Sequence, residues 1–207
     1  MFKKKKSFSL EGVDKGHHKV TYKGVSCIKC PFDYVIYQMI IEEVKPDLII
    51  EIGTNKGGSA LYYADLLELQ GKGEIHSIDI KDDCPTIVKE HHRIKLFTGG
   101  WENYNLSSTD GFKSILVIED SSHDYFNTLK VIHKFSEIVT LNSYLIVEDG
   151  IVDALGLSRK FNGGPLKAIK QFLEENDTFI IDTGWVDFFG KSATFNTCGY
   201  LKKVKNG

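Results

Sequence analysis

The chain has 207 residues, of which 42% are hydrophobic and 26% charged, a globular composition that excludes a disordered or fibrous protein. Its 26 lysines and arginines nearly balance 28 aspartates and glutamates, so the net charge of −2 provides no general attraction to nucleic acid or an anionic membrane. No apolar stretch reaches the roughly 18 residues of a membrane span, and the sequence predicts a cytoplasmic protein with a small-molecule partner.

The first 30 residues mix lysine, glycine and histidine without a sustained hydrophobic period. This predicts an N-terminal lead or lid, residues 1–30, over one domain formed by residues 31–207. Cys27 and Cys30 form a CxxC pair, but no second pair completes a zinc site, and Pro31 follows where redox motifs have a strand-to-helix turn. Reduced cysteines are the favoured interpretation, and a redox role stays open.

Hydrophobic periodicity then predicts strands that alternate with helices. Apolar residues spaced three and four apart predict a helix over residues 32–44, before Pro46. Short runs rich in β-branched residues predict strands at 48–52, 75–80, 94–97, 115–118 and 144–147, with helices at 60–69 and 124–139. Several runs are hydrophobic throughout, as in strands covered on both faces. The alternation predicts an α/β fold with a mostly parallel twisted sheet and right-handed crossovers.

The C-terminal part predicts one more helix and two closing strands. Gly163, Gly164 and Pro165 begin a helix that continues through Phe172. Residues 179–181 and 200–204 predict strands that pair antiparallel at one edge of the sheet. Between these strands lie aromatic side chains that could stack on the face of a sugar, namely Trp185, Phe188, Phe189 and Phe195.

The turn between the first strand of the sheet and its helix reads EIGTNKGGS, residues 51–59. An open α/β sheet binds its ligand at such a turn. The spacing matches neither the GxGxxG of dinucleotide-binding folds nor the GxxxxGK[ST] of a P-loop, which disfavours NAD and nucleoside triphosphates. Glu51 suits a cationic amine, and Asp79, ending the next strand, suits a ribose diol. S-adenosylmethionine carries both groups, whereas the simpler alternative is a tight turn and a strand cap.

Three acids stand at the carboxyl ends of two further strands: Asp120, Glu148 and Asp149. Adjacent strands lie about 4.8 Å apart, so these carboxylates can converge on one ion, and oxygen ligands favour Mg²⁺ or Mn²⁺. Without a cation the clustered acids would repel one another. Glu148 and Asp149 are neighbours and can share a metal only where the strand ends, and Gly150 permits that turn.

His123 lies three residues after Asp120, on the loop that leads into the next helix. Histidine titrates near neutral pH, so it could accept a hydroxyl proton in the same pocket. The alternative is that residues 121–124 only cap that helix.

These motifs resemble the cephalosporin hydroxylase-like and rhamnosyl O-methyltransferase family over residues 31–204. The likeness lies in PDLIIEIGTNKGGSALYYAD, SIDI, LVIEDSSHDYFNTLKVI, LIVEDGIVD, GGPLKAI and the FFG and TFN segments. A wider likeness to catechol-type and macrolide-sugar O-methyltransferases lies in the ExGxxxGxS turn and in acids separated by 28 and 29 residues, a spacing that Asp120, Glu148 and Asp149 fit.

The resemblance implies a Rossmann-like class I methyltransferase that moves the methyl group of S-adenosylmethionine to a hydroxyl of a sugar or glycosylated metabolite, with Mg²⁺ or Mn²⁺. It also implies roles for single residues: Glu51, Gly53 and Ser59 at the amino-acid end of the cofactor, Asp79 at its ribose, and Gly99, Gly100 and Trp101 at its adenine. The residue three past the first metal ligand is a base in these relatives, which here is His123. Relatives often assemble, so a homo-oligomer is compatible with the resemblance.

Two other functions are alternatives to methyl transfer. An iron oxygenase needs two histidines and a carboxylate, but His123 and Asp124 are adjacent and no second histidine ends a strand. A non-catalytic cofactor-binding or interaction protein of the same fold stays open, although the three acids together with His123 favour an enzyme. The sequence leaves the acceptor unidentified.

Overall fold

The computed structural model describes residues 9–191 and 193–206, and within them a seven-stranded sheet forms the main body. A short hairpin, β1 (Thr21–Tyr22) and β2 (Val25–Ser26), precedes it. The sheet consists, in chain order, of β3 (Leu48–Ile52), β4 (Glu74–Ile78), β5 (Ile94–Phe97), β6 (Ile115–Glu119), β7 (Tyr144–Val147), β8 (Phe179–Ile181) and β9 (Tyr200–Lys203).

The strand order across the sheet is β5-β4-β3-β6-β7-β9-β8. The first five strands in that order are parallel, and β9 pairs antiparallel with both β7 and β8. This confirms the predicted parallel sheet with an antiparallel C-terminal edge. The order reverses between β3 and β6, so the fold places its ligand crevice at the carboxyl ends of these two strands.

Helices cover both faces of the sheet. They are α1 (Leu10–His17), α2 (Pro31–Val44), α3 (Gly58–Gln70), α4 (Thr86–Lys89), α5 (Tyr125–Ser136), α6 (Gly164–Glu175) and α7 (Thr183–Val186). The predicted helices correspond to α2, α3, α5 and α6 within a few residues. Across the described ranges, no helix has the length and apolarity needed to span a membrane.

The central strand β3 shows why its sequence is hydrophobic without alternation. All five of its residues are buried. Successive side chains point to opposite faces, so Ile49 packs in the cluster that contains Tyr37 of α2, while Ile50 packs with Phe135 of α5. Burying an isoleucine side chain stabilises the fold by about 1.5–3 kcal/mol. The strand β3 therefore stabilises the helix packing on both faces of the sheet.

The N-terminal segment lies against α3. A Cβ atom at Gly58 would be 2.3 Å from the Ser26 carbonyl oxygen, so the hairpin can approach only because residue 58 is glycine. The Tyr22 hydroxyl donates to Asp65 at 2.7 Å. Neither α1 nor this hairpin was predicted, because elements this short leave no periodic signal in the sequence. Residues 1–8 lie outside the described residues. The division into a lead and a domain stays a prediction.

Candidate functional site

A cleft of about 420 Å³ opens at the carboxyl ends of β3, β4 and β6. Its lining includes seven residues that the sequence predicted for the site: Gly53, Asp79, Gly100, Trp101, Asp120, His123 and Asp149. A larger surface groove of about 710 Å³ runs between α2 and α3, but the predicted site residues do not line it. The cleft is therefore the candidate active site.

Gly53 brings the two sides of this cleft together. Its φ is +106°, a left-handed value, and a Cβ atom there would lie 2.0 Å from the Asp120 carbonyl oxygen. The Gly53 amide donates to the Ile78 carbonyl at 2.8 Å, and the Asp120 amide donates to that of Ile52 at 2.8 Å. The glycine is thus required by backbone packing between strands as well as by the predicted approach of a ligand.

Asp79 is held at the edge of the cleft by backbone amides. Its carboxylate accepts from the Asn55 amide at 2.8 Å and from the Ile80 amide at 2.7 Å. An ionised carboxylate has about four acceptor positions, so two remain for a ligand such as a diol. The strand β4 ends at Ile78, one residue before this acid.

Glu51 and Ser59 lie behind the cleft. Glu51 is fully buried, and its Oε2 accepts from the Ser77 hydroxyl at 2.6 Å. Burial raises the pKa of Glu51, while Lys29 and a hydrogen bond from Ser59 oppose the rise. Neither side chain lines the cleft in this structure, and their predicted contact with the cofactor stays a prediction.

The predicted adenine wall is present in part. Gly100 and Trp101 line the cleft, whereas Gly99 does not. The Trp101 indole donates from Nε1 to Asn127 Oδ1 at 3.0 Å, which fixes the plane of the ring. Asn127 belongs to α5, so that helix orients this wall.

Two of the three predicted metal ligands, Asp120 and Asp149, group with His123, whereas Glu148 lies deeper. Three residues each offer one ligand atom, and these atoms lie within 4.8 Å of one another: Asp120, His123 and Asp149. Glu148 is outside this group. Glu148 Oε1 accepts from the Tyr37 hydroxyl at 2.6 Å, inside the protein. The strand β7 ends at Val147, so both acids follow the strand end, and the chain turns at Asp149, whose φ is +58°.

Lys29 supplies a cation that the sequence analysis did not anticipate. Its Nζ lies 2.5 Å from Asp120 Oδ2 and 2.6 Å from Glu148 Oε1, and its side chain is 3% exposed. The clustered acids therefore do not depend on a metal alone for charge balance, since Lys29 neutralises part of their charge. Lys29 was missed because it lies in the segment without a pattern, and the topology brings it to the strand ends.

Burial dominates the electrostatics of this cluster. It raises the pKa of Asp120 to about 7 and that of Glu148 to about 8, although Lys29 opposes both shifts. Burial also disfavours the charge on Lys29, but the two carboxylates outweigh it and hold the pKa of the ammonium well above its usual value. One ammonium is thus shared between two desolvated acids.

His123 is free of the capping role. Asp124 caps α5, because its Oδ1 accepts from the amides of Phe126 at 2.9 Å and Asn127 at 3.2 Å. The His123 ring lines the cleft, and its Nε2 lies 3.3 Å from Asp149 Oδ2. Of residues 121–124, to which the alternative assigned the cap, Asp124 forms it and His123 faces the cleft.

The four aromatic side chains of the C-terminal part lie outside the cleft. Phe195 is buried in a small core cluster with Cys30, and the Trp185 indole donates to the Tyr144 hydroxyl at 3.1 Å. None of the four aromatics of this segment lines the described cleft, and their stacking on a sugar stays a prediction. The TFN segment instead extends the buried network, since Asn196 Nδ2 donates to the Tyr37 hydroxyl at 3.1 Å.

The sheet order and the cleft at its reversal define a class I methyltransferase, and the family comparison makes it an S-adenosylmethionine-dependent O-methyltransferase. The family described as Rhamnosyl O-methyltransferase/CmcI matches residues 15–204. The chain belongs to that family.

Individual relatives agree with the family match. The rhamnosyl O-methyltransferase of Mycobacterium leprae (strain TN) is 28% identical over 175 residues, which cover 75% of this chain and 71% of that protein. A CmcI structure with SAH superimposes with a TM-score of 0.69 at 18% identity, covering 99% of this chain and 96% of that one. A CmcI structure described as Mg-SAM gives 0.67 at 21% identity, with 91% and 78% covered. The two structures show that the fold is shared.

Proposed function

We propose that this protein methylates a hydroxyl group of a sugar or glycosylated metabolite, with S-adenosylmethionine as methyl donor and Mg²⁺ or Mn²⁺ as a bound cation. One observation carries the proposal: a single cleft places Asp79 beside the turn at Gly53 and, at its other side, the ligand atoms of Asp120, His123 and Asp149. The name of the M. leprae relative and the Mg-SAM description of the CmcI structure support the acceptor class and the cation.

The donor side of the cleft suits the cofactor. Asp79 retains acceptor positions for the ribose hydroxyls, and Gly53 lines the same cleft, where the amino-acid end would lie. Gly100 and Trp101 would face the adenine, with Gly99 next to them. Glu51 and Ser59 would act from beneath, by supporting the turn through Ser77 and each other.

The acceptor side suits a hard divalent cation. Asp120 and Asp149 offer carboxylate oxygens, which such cations prefer, and Glu148 could join them if Lys29 left its oxygen. The cation would lower the pKa of the acceptor hydroxyl. His123 would accept the hydroxyl proton, since its ring is in the cleft and beside Asp149. No covalent bond to the protein is needed, because the cofactor supplies the electrophile.

The test is methyl transfer by the purified protein. Incubation with S-adenosylmethionine and a panel of rhamnosylated and other hydroxylated metabolites should give a product one methyl group heavier, located on oxygen by tandem mass spectrometry. EDTA should abolish the reaction, and Mg²⁺ should restore it. Full activity in chelated protein would contradict the cation, whereas transfer to nitrogen or carbon would contradict the acceptor class. Sedimentation of the same preparation measures whether the predicted homo-oligomer forms.

A further inference from the structure

We propose that Lys29 is a built-in competitor of the divalent cation: its ammonium holds Asp120 and Glu148 when no metal is bound, and withdraws when a metal binds. This inference rests on the proposed function, because it concerns the same acids. It makes Lys29 a residue that controls occupancy of the site.

The contacts of Lys29 carry the argument. Its Nζ is within 2.6 Å of oxygens from two of the three acids proposed for the metal, and these acids come from two different strands. Glu148 Oε1 also accepts from the Tyr37 hydroxyl, so this oxygen has its partners already. A divalent cation that binds Glu148 Oε1 must therefore displace at least one of these donors.

The positive charges of Lys29 and of a bound dication oppose each other. An ammonium and a dication that share Asp120 would repel each other in a site screened little by water, since Lys29 is 3% and Glu148 5% exposed. Each cation stabilises the acids on its own, but each weakens the binding of the other. Competition follows from the arrangement.

The position of Lys29 in the chain allows its ammonium to move. It lies between Ile28, which lines the cleft, and Cys30, which directly precedes α2. The ammonium is carried on a flexible four-carbon stem, so it can move without a change in the sheet. Lys29 thus connects an acid that lines the cleft, Asp120, with a buried acid beside it, Glu148.

The first experiment compares Mn²⁺ affinity, measured by electron paramagnetic resonance, in the wild type, Lys29→Met and Lys203→Met. Lys203 is a matched control: it is also buried, but its Nζ donates to the Ser136 carbonyl, away from the cleft. Lys29→Met should bind Mn²⁺ about tenfold tighter or more, because a competing charge is gone, and Lys203→Met should match the wild type. Equal affinity in the two variants would overturn the proposal.

The second experiment uses the wild type, so it does not depend on a variant that folds. Acetylation by acetic anhydride, followed by peptide mass spectrometry, should label Lys29 little without metal and several-fold more at saturating Mg²⁺. Lys203 should stay protected in both states. A Lys29 that remains protected at saturating metal would overturn the proposal.

The two proposals fail in different ways. If Lys29→Met binds Mn²⁺ no tighter while EDTA still abolishes methyl transfer, the role of Lys29 is wrong and the proposed function stands. If neither wild type nor variant binds Mn²⁺, the metal part of the proposed function is wrong, and the competitor role falls with it.

Discussion

The two sides of the cleft hold their acids by different means. On the donor side, Asp79 is fixed by the backbone amides of Asn55 and Ile80, close to it in the fold. On the acceptor side, Asp120 and Glu148 are held by the side chain of Lys29, 91 and 119 residues earlier in the chain. Backbone amides cannot leave, whereas a lysine side chain can.

This difference separates a preformed site from a conditional one. We expect the donor side to keep its shape with or without a ligand, because Asp79 is held by backbone amides. The acceptor side depends on which cation is present. Substitutions on the two sides should therefore change different measured quantities.

The largest effect is expected for His123→Ala on the acceptor side. Loss of a positioned base should lower kcat by about 10² to 10⁴, while the affinity for S-adenosylmethionine stays close to that of the wild type. Steady-state kinetics and calorimetry measure the two quantities. His123→Asn should be nearly as damaging, since an amide does not take up the proton.

A bound cation that acidifies the acceptor hydroxyl would reduce this loss as the pH rises. Such a pH-dependent deficit still agrees with a base at His123. A variant with wild-type kcat at every pH would show that the proton goes elsewhere.

The next effect is on the donor side. Asp79→Ala should weaken S-adenosylmethionine binding by about 1.5–3 kcal/mol through loss of charge-assisted hydrogen bonds to the ribose, measured by calorimetry. Asp82→Ala is the control, since Asp82 is an exposed acid of the same loop that accepts from the Cys84 amide. Equal affinity in Asp79→Ala and Asp82→Ala would place the cofactor elsewhere.

The smallest effect is expected for Asp124→Ala, which tests whether His123 and Asp124 have separate roles. Asp124→Ala removes the cap of α5 and should lower the free energy of unfolding by about 1 kcal/mol, measured by urea denaturation. Because Asp124 does not line the cleft, kcat should change much less than in His123→Ala. A kcat as low as that of His123→Ala would mean that the loop conformation, and not the imidazole, matters for the reaction.

Local patterns were sufficient to predict most of the fold. The buried strands, the helices between them and the antiparallel edge follow from hydrophobic period and β-branched content. The turn at Gly53 and the acid at Asp79 follow from their place at strand ends. These features depend on residues close in sequence or on rules that hold for every open α/β sheet.

The parts that were missed depend on distant contacts. No local pattern shows that Lys29 reaches Asp120 and Glu148, because their meeting depends on how the N-terminal segment packs. The partners of Glu148 were missed because Lys29 and Tyr37 are more than 100 residues away in the chain. A single lysine between two cysteines, as Lys29 is between Cys27 and Cys30, carries no signal of burial in one sequence.

The close approach at Gly53 also affects how the protein can change over evolution. Backbone meets backbone between residue 53 and the Asp120 carbonyl, so the separation of donor and acceptor is set without side chains. Mutations at the strand ends would alter that separation and are poor sources of new acceptor preferences. Ile28 and Phe161 lie beside the cleft on segments outside the sheet. New specificities can arise there while the reacting groups keep their spacing.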